Sequence, residues 1–216
     1  MVENYFFIDG SSLIAQIRTV QKNLKSFKNR KLDPVLFILY FATFLRDLID
    51  GEYKRAVFYF PKGEKTVGDY LIIPNFKKPG LIKDINFKYC GEKLESSDAF
   101  NKFVLEKVPE KFQGRFTKSE KGVDIEICCD ALKLASMGKI ERLVLLTNDD
   151  DFVPFCRAIK EFGANISLIH LSEVINPNKS LIIETDSYDV VSEEHLQGMF
   201  MPKLIPQIDT GQVDKN

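Results

Sequence analysis

Residues 143–152, Leu-Val-Leu-Leu-Thr-Asn-Asp-Asp-Asp-Phe, limit the fold more than any other stretch of this chain. Four consecutive large apolar side chains leave no polar face. The segment therefore reads as a strand covered on both sides, as in a parallel sheet packed between helices. That strand stops abruptly in three adjacent carboxylates. In an open α/β sheet, the crevice beyond the carboxyl ends of the strands is where ligands bind. Three acids crowded at such an edge repel one another unless positive charge sits among them, and a divalent metal ion is the usual resident. A helix cap explains one of the three, because a single Asp accepts the free N–H groups of a helix start. It leaves two unexplained.

The N-terminus repeats the pattern. Tyr5-Phe6-Phe7-Ile8 runs into Asp9-Gly10-Ser11-Ser12, and Leu13, Ile17, Val20 and Leu24 then recur at helical spacing. This is a strand-to-helix junction with an acid at the strand tip and Ser11 or Ser12 as the expected N-cap. If the two acid-tipped strands are parallel neighbours, their tips converge. A third element, Lys121-Gly122-Val123-Asp124, opens a helix whose apolar stripe is Ile127, Ala131 and Leu134. Asp124 falls in its first turn, where the helix dipole favours a carboxylate. Asp130 lies six residues on, roughly 240° round the helix, and reads as structural.

Strands are expected at 5–8, 55–60, 85–90, 142–147 and 165–171, with helices between most of them. That alternation implies a three-layer α/β/α domain with a mainly parallel central sheet. Asp33-Pro34 opens a helix over 34–49 that is apolar almost all round. Its uninterrupted apolar stretch, 35–42, is far below the roughly 20 residues needed to span a bilayer. A Lys, Gly and Pro-rich loop over 61–84, a helix over 96–107 and a polar linker over 109–120 complete the domain, which is drawn as residues 1–192. Residues 193–216 turn polar, contain Pro202 and Pro206, and read as an extended or disordered tail.

The composition suits one soluble domain. The first ten residues carry Glu3 and Asp9 and do not read as a signal peptide. Cys90, Cys128, Cys129 and Cys156 form no C-x-x-C pair, so buried free thiols in a reducing cytoplasm are expected, without zinc. His170 and His195, the two histidines, lie after an apolar strand and in the polar tail, positions that suit structural roles. Net charge is −1, but its distribution is uneven. Residues 1–122 hold 22 Lys+Arg against 15 Asp+Glu, and residues 123–216 hold 8 against 16. Lys22, Lys25, Lys28, Arg30 and Lys31 fall within ten residues that contain no acid. Cationic segments around an acidic centre suit a substrate with a phosphate backbone, although charge runs are commonly just solvated faces.

Together, Phe-Ile-Asp9-Gly-Ser, Lys121-Gly-Val-Asp124 and Thr-Asn-Asp149-Asp150-Asp151-Phe152 resemble the NYN domain, LabA-like branch, of the PIN-like nucleases. The likeness continues through Phe152-Val153-Pro154, Gly163 and the segment from Leu181 to Tyr188, and spans roughly residues 3 to 191. Ser12 replaces the family's Asn, and Thr147-Asn148 replaces its Ser-Gly. The resemblance implies a PIN-like fold and a catalytic, metal-binding set of Asp9, Asp124, Asp149 and Asp151. Asp150 is a spare acid that a tight turn is expected to aim away from the others. Ser11, Ser12, Lys121, Thr147 and Asn148 are the expected substrate contacts.

The implied activity is a metal-dependent phosphodiesterase, a ribonuclease using Mg²⁺ or Mn²⁺, with RNA or another nucleic acid as partner and no membrane. Hard divalent ions take carboxylate oxygens, and a metal clamp orients water and neutralises charge on the leaving oxygen. Two alternatives stand beside it. One is a non-catalytic RNA-binding or regulatory module that keeps the fold. The other is a haloacid-dehalogenase-like phosphatase, disfavoured because Ser11 stands where that class has a second Asp. The basic residues of the first half are expected to border the acidic pocket. The apolar helix 34–49 is expected to pack Val35, Leu39, Ala42 and Ile49 on the sheet. That leaves Phe37, Phe41, Phe44 and Leu48 to be covered by a second subunit, or by the tail folding back.

Overall fold

The structure is a computed structural model that describes residues 2–28, 30–32, 37, 41, 44, 45, 52–62, 84–94, 106–107 and 119–202. Its centre is a seven-stranded sheet in the order β5-β4-β3-β1-β6-β7-β8. The strands are β1 (Glu3–Asp9), β3 (Glu52–Lys62), β4 (Ile85–Leu94), β5 (Ser119–Lys121), β6 (Arg142–Leu146), β7 (Asn165–His170) and β8 (Ser187–Val190). All pairings are parallel except β4 with β5, which is antiparallel. The mainly parallel sheet is as expected, and the five expected strands are all present. The 109–120 segment was expected to be all linker; its last two residues instead begin β5, hydrogen-bonded to the final three residues of β4. Of the expected 96–107 helix, the described residues 106 and 107 are helical.

Two apolar layers cover the sheet, because alternate side chains of buried parallel strands point to opposite faces. On one face Phe6, Ile8, Phe58, Val144 and Leu146 pack with Leu13, Ile17 and Val20 of helix α1 (Gly10–Asn23). On the other, Phe7, Val57, Leu143 and Leu145 meet Ile127 and Ala131 of α2 (Val123–Ser136) and Phe155 and Ile159 of α3 (Val153–Glu161). The short helix α4 (Lys179–Glu184) precedes β8. Among the described residues, no helix is long and apolar enough to cross a membrane.

The tail, residues 193–216, was expected to be extended or disordered; 203–216 lie outside the described residues. Instead Glu193–Met199 forms a helix, α5, and Phe200–Pro202 forms β9, which pairs antiparallel with β2 (Arg30–Leu32) in a second, two-stranded sheet. The cause is apolar: Leu196, Met199 and Phe200 are buried in the first core layer, a pattern hidden within a polar-looking segment. Phe27 and Phe200 pack at a tilt with centroids 4.8 Å apart, and the Arg30 guanidinium donates to the Gln197 carbonyl at 3.1 Å.

This also corrects the reason for expecting a dimer. Phe37, Phe41 and Phe44 are buried within the chain itself. Phe41 packs edge-on against Phe58 of the sheet, and Phe44 lies 4.9 Å, ring to ring, from His195 of α5. The returning C-terminal segment therefore covers Phe44, one of the side chains assigned to a partner. Val35, Leu39, Ala42, Leu48 and Ile49 lie outside the described residues.

Candidate metal centre at the carboxyl edge of the sheet

Both acid-tipped strands are central and adjacent. β1 and β6 pair in parallel register, with Ile8 beside Leu146, so Asp9 and Thr147 are the first residues beyond that register. The Thr147 hydroxyl donates to Asp9 Oδ2 at 3.1 Å. At the β1 tip, Gly10 is already helical and packed so closely that a Cβ there would lie 2.3 Å from the Phe60 ring and 2.4 Å from the Tyr59 carbonyl oxygen. This abrupt start makes Asp9 the N-cap, in place of Ser11 or Ser12. Asp9 Oδ1 accepts from Ser11 N at 3.0 Å and Ser12 N at 3.2 Å. The Ser12 hydroxyl accepts from Gln16.

The β6 tip is organised differently. Asp149 caps a single 3-10 turn, Asp150–Phe152, by accepting from Asp151 N at 3.0 Å, while its own N–H donates to Thr147 Oγ1. Phe152 is buried and anchors the turn. The carboxylates of Asp149, Asp150 and Asp151 are exposed, and each offers an oxygen within 4.8 Å of the others. Asp150 thus joins the group it was expected to leave. The cause is the tight turn itself: as Asp149 folds back toward Asp151 N, the two flanking carboxylates approach the one between them.

Asp124 stands in the first turn of α2, after Gly122, whose φ of +95° lets the chain turn sharply out of β5. β5 pairs with the carboxyl end of β4, with Lys121 opposite Glu92, so Asp124 is delivered to the same edge of the sheet as Asp9 and Asp149. Burial pushes the Cys128 thiol up to about 12, and the charge of Asp124, one turn earlier on the same helix face, adds to the rise. Asp9 and Asp124 fall outside the set of three mutually close carboxylates found among the described residues. Asp130 is structural as expected, accepting from the Tyr59 hydroxyl at 2.9 Å and the Lys88 ammonium at 2.8 Å. Burial first, and then that neighbouring carboxylate, raise the Tyr59 phenol far above its ordinary value.

The donor set fits a hard divalent cation. Oxygen ligands from three carboxylates on one exposed turn suit Mg²⁺ or Mn²⁺, and no His or Cys belongs to that set to favour zinc.

Several expected substrate contacts have other partners. Asn148 Nδ2 donates to the Asn176 carbonyl and its Oδ1 accepts from Asn178 N, so both ends of the amide tie down the loop before α4. Thr147 is fully buried and bridges the two strand tips. The basic run begins at the far end of α1, roughly 20 Å along the axis from Asp9 at 1.5 Å per residue. Within it, Arg30 is tied to Gln197.

Other polar residues at this edge have partners that the sequence did not reveal. His170 ends β7 fully buried, with Nε2 2.9 Å from the Thr147 carbonyl and Nδ1 3.2 Å from the Tyr188 hydroxyl. Burial holds its pKa below the ordinary imidazole value. Gln16 is buried in α1 and accepts from Leu171 N. Its signal was available: it falls on the apolar stripe of Leu13, Ile17 and Val20, where a polar residue needs a buried partner.

The comparisons agree with this fold. No curated protein matches the sequence. A crystal structure of a protein of unknown function from Vibrio parahaemolyticus is similar in fold, with a TM-score of 0.53 at 13% identity, covering 93% of this chain and 96% of that one. The family model of the NYN domain matches residues 7–191, from within β1 to just past β8. The chain therefore belongs to the NYN domain family of the PIN-like nuclease superfamily.

Proposed function

We propose that this chain is a metal-dependent phosphodiesterase of the LabA-like NYN branch that cleaves RNA, with Asp9, Asp124, Asp149 and Asp151 as its catalytic acids. The observation that carries the reading is the exposed set Asp149, Asp150 and Asp151, with oxygens within 4.8 Å of one another, at the tip of a central strand beside the Asp9-tipped one. Asp149 and Asp151 would hold the cation, joined by Asp150. Asp9, engaged by two backbone N–H groups and Thr147, would act from the neighbouring strand tip. Asp124 would act from the first turn of α2, and Lys121, which ends β5, is the nearest basic residue in sequence to contact phosphate. A bound Mg²⁺ or Mn²⁺ supplies positive charge for the phosphoryl oxygens and lowers the pKa of water.

The test is incubation of the full chain with mixed RNA and DNA, with and without Mn²⁺, beside Asp149→Asn. Cleavage of RNA that requires Mn²⁺ and is lost in the variant supports the reading. Absence of turnover in the wild type with Mn²⁺ present overturns it. The burial of Asp9 and its use as a helix cap favour a second reading, a non-catalytic RNA-binding module, for which binding without cleavage is the expected result. Membership of the NYN family sets the haloacid-dehalogenase alternative aside.

A further inference from the structure

We propose that His170 and Tyr188 are positioning residues, which fix the Thr147 peptide from β7 and β8 and thereby set the relative placement of Asp9 and the Asp149 turn. The inference rests on the metal-centre reading above and extends it to residues that do not touch the cation.

The hydrogen-bond directions follow from the acceptors. A carbonyl only accepts, so the 2.9 Å contact to the Thr147 oxygen requires the proton on His170 Nε2. A neutral ring then presents Nδ1 as an acceptor, which the Tyr188 hydroxyl meets at 3.2 Å. On the other side of the same residue, Thr147 Oγ1 donates its one hydrogen to Asp9 Oδ2 and accepts from Asp149 N. The residue just beyond β6 is therefore held through its carbonyl by His170 of β7, itself met by Tyr188 of β8, and through its hydroxyl it holds the Asp9 carboxylate and the Asp149 backbone. His170 and Thr147 are both fully buried. A buried imidazole is costly compared with an apolar side chain unless its polar atoms are bonded. Here the ring spends its Nε2–H on the one peptide that carries both acid tips, whereas a residue needed only for packing has no reason to reach it. Partners bonded directly to a ligand typically change metal affinity by about 10- to 100-fold when removed; His170 acts one bond further out, through Thr147, so the lower end of that range applies.

The experiment is a titration of the full chain with MnCl₂, following free Mn²⁺ by electron paramagnetic resonance. The wild type is compared with His170→Leu, His170→Gln, Tyr188→Phe and Asp149→Asn, and the metal-free thermal midpoint of each is recorded. His170→Leu is expected to weaken Mn²⁺ binding by about tenfold or more. Tyr188→Phe, which removes only the hydroxyl and lies one bond beyond His170, is expected to weaken it by about threefold, below the range for directly bonded partners. His170→Gln, which restores an N–H toward Thr147, should bind within about twofold of the wild type. A purely structural role predicts something else: lowered midpoints in the His170 variants with unchanged Mn²⁺ affinity. That result overturns the inference. If His170→Leu does not fold, Tyr188→Phe decides, and wild-type affinity in it overturns the inference equally. A wild type that binds Mn²⁺ no better than Asp149→Asn overturns the metal-centre reading and this inference with it. Wild-type binding with unaffected His170 and Tyr188 variants overturns the positioning role alone.

Discussion

The tips of β1 and β6 share one design, an apolar strand ending in an acid before a helical turn, yet they use their carboxylates differently. Asp9 is buried and accepts two backbone N–H groups and the Thr147 hydroxyl. At the β6 tip only one of three acids is needed as a cap, and all three stay exposed and close together. The glycine is the reason for the difference. Gly10 lets α1 start at once against Tyr59 and Phe60, which draws the acid inward. The β6 tip passes through Asn148 and a 3-10 turn before its helix, so its carboxylates remain outside. An acid at a strand tip is thus a cap or a ligand according to how soon the following helix is packed down.

Breaking the tight packing at β1 should have the largest effect. Gly10→Ala places a methyl 2.4 Å from the Tyr59 backbone oxygen, and a clash with backbone cannot be relieved by a rotamer. A loss of about 3 kcal/mol or more is expected in denaturant unfolding. Wild-type stability in that variant would show that the β1 tip is not what forces Asp9 inward.

Metal should separate the two tips next. At a hundredfold excess over Kd, Mn²⁺ is expected to stabilise the wild type by about 2.7 kcal/mol. Asp149→Asn and Asp151→Asn should lose most of that gain while unfolding normally without metal. Equal stabilisation of all three proteins in calorimetry would remove the β6 tip as the ion site.

Direct truncation of the acids sharpens the contrast. Asp9→Ala should cost about 2 kcal/mol, because it strips a cap and leaves buried donors unpaired. Asp150→Ala should stay within about 0.5 kcal/mol, as at other exposed positions. Similar losses for both would mean that burial does not distinguish the tips.

The smallest expected effect is one of pH. Burial depresses the His170 pKa below its ordinary 6.5, so the folded state favours the neutral ring. The stability this contributes is present above that unfolded value and is lost as pH falls below it toward the folded pKa. Between about pH 7.5 and pH 5, the thermal midpoint of the wild type should therefore fall by about 2 °C more than that of His170→Gln. Parallel curves for the two proteins would show that the ring does not titrate on unfolding.

Much of the fold was legible because buried parallel strands are written as unbroken apolar runs. Residues 143–146 and 5–8 could hardly be anything else, and the acids that follow them marked the ligand edge. Asp124 was legible because glycine before a helical stripe announces a helix start. The short strands were not. β5 and β9 are three residues each, too short to show a period, and exist only because a neighbouring strand offers free backbone groups. The expectation of a dimer lost its premise for a related reason. A helix that is apolar all round says that it is covered, and it does not say by what.

The amino-acid pattern by itself determined the sheet-and-helix class, the two acid-tipped strands, the family likeness and the excess of carboxylates over what capping requires. These are local properties, set by apolar periodicity and by residue type at strand ends. Only the tertiary structure decided which acid is buried, that Asp150 stands with Asp149 and Asp151, that α5 covers Phe44, and that His170 and Tyr188 reach Thr147. Each depends on contacts between residues far apart in the chain, whose geometry is fixed by packing and by the pairing of buried polar groups.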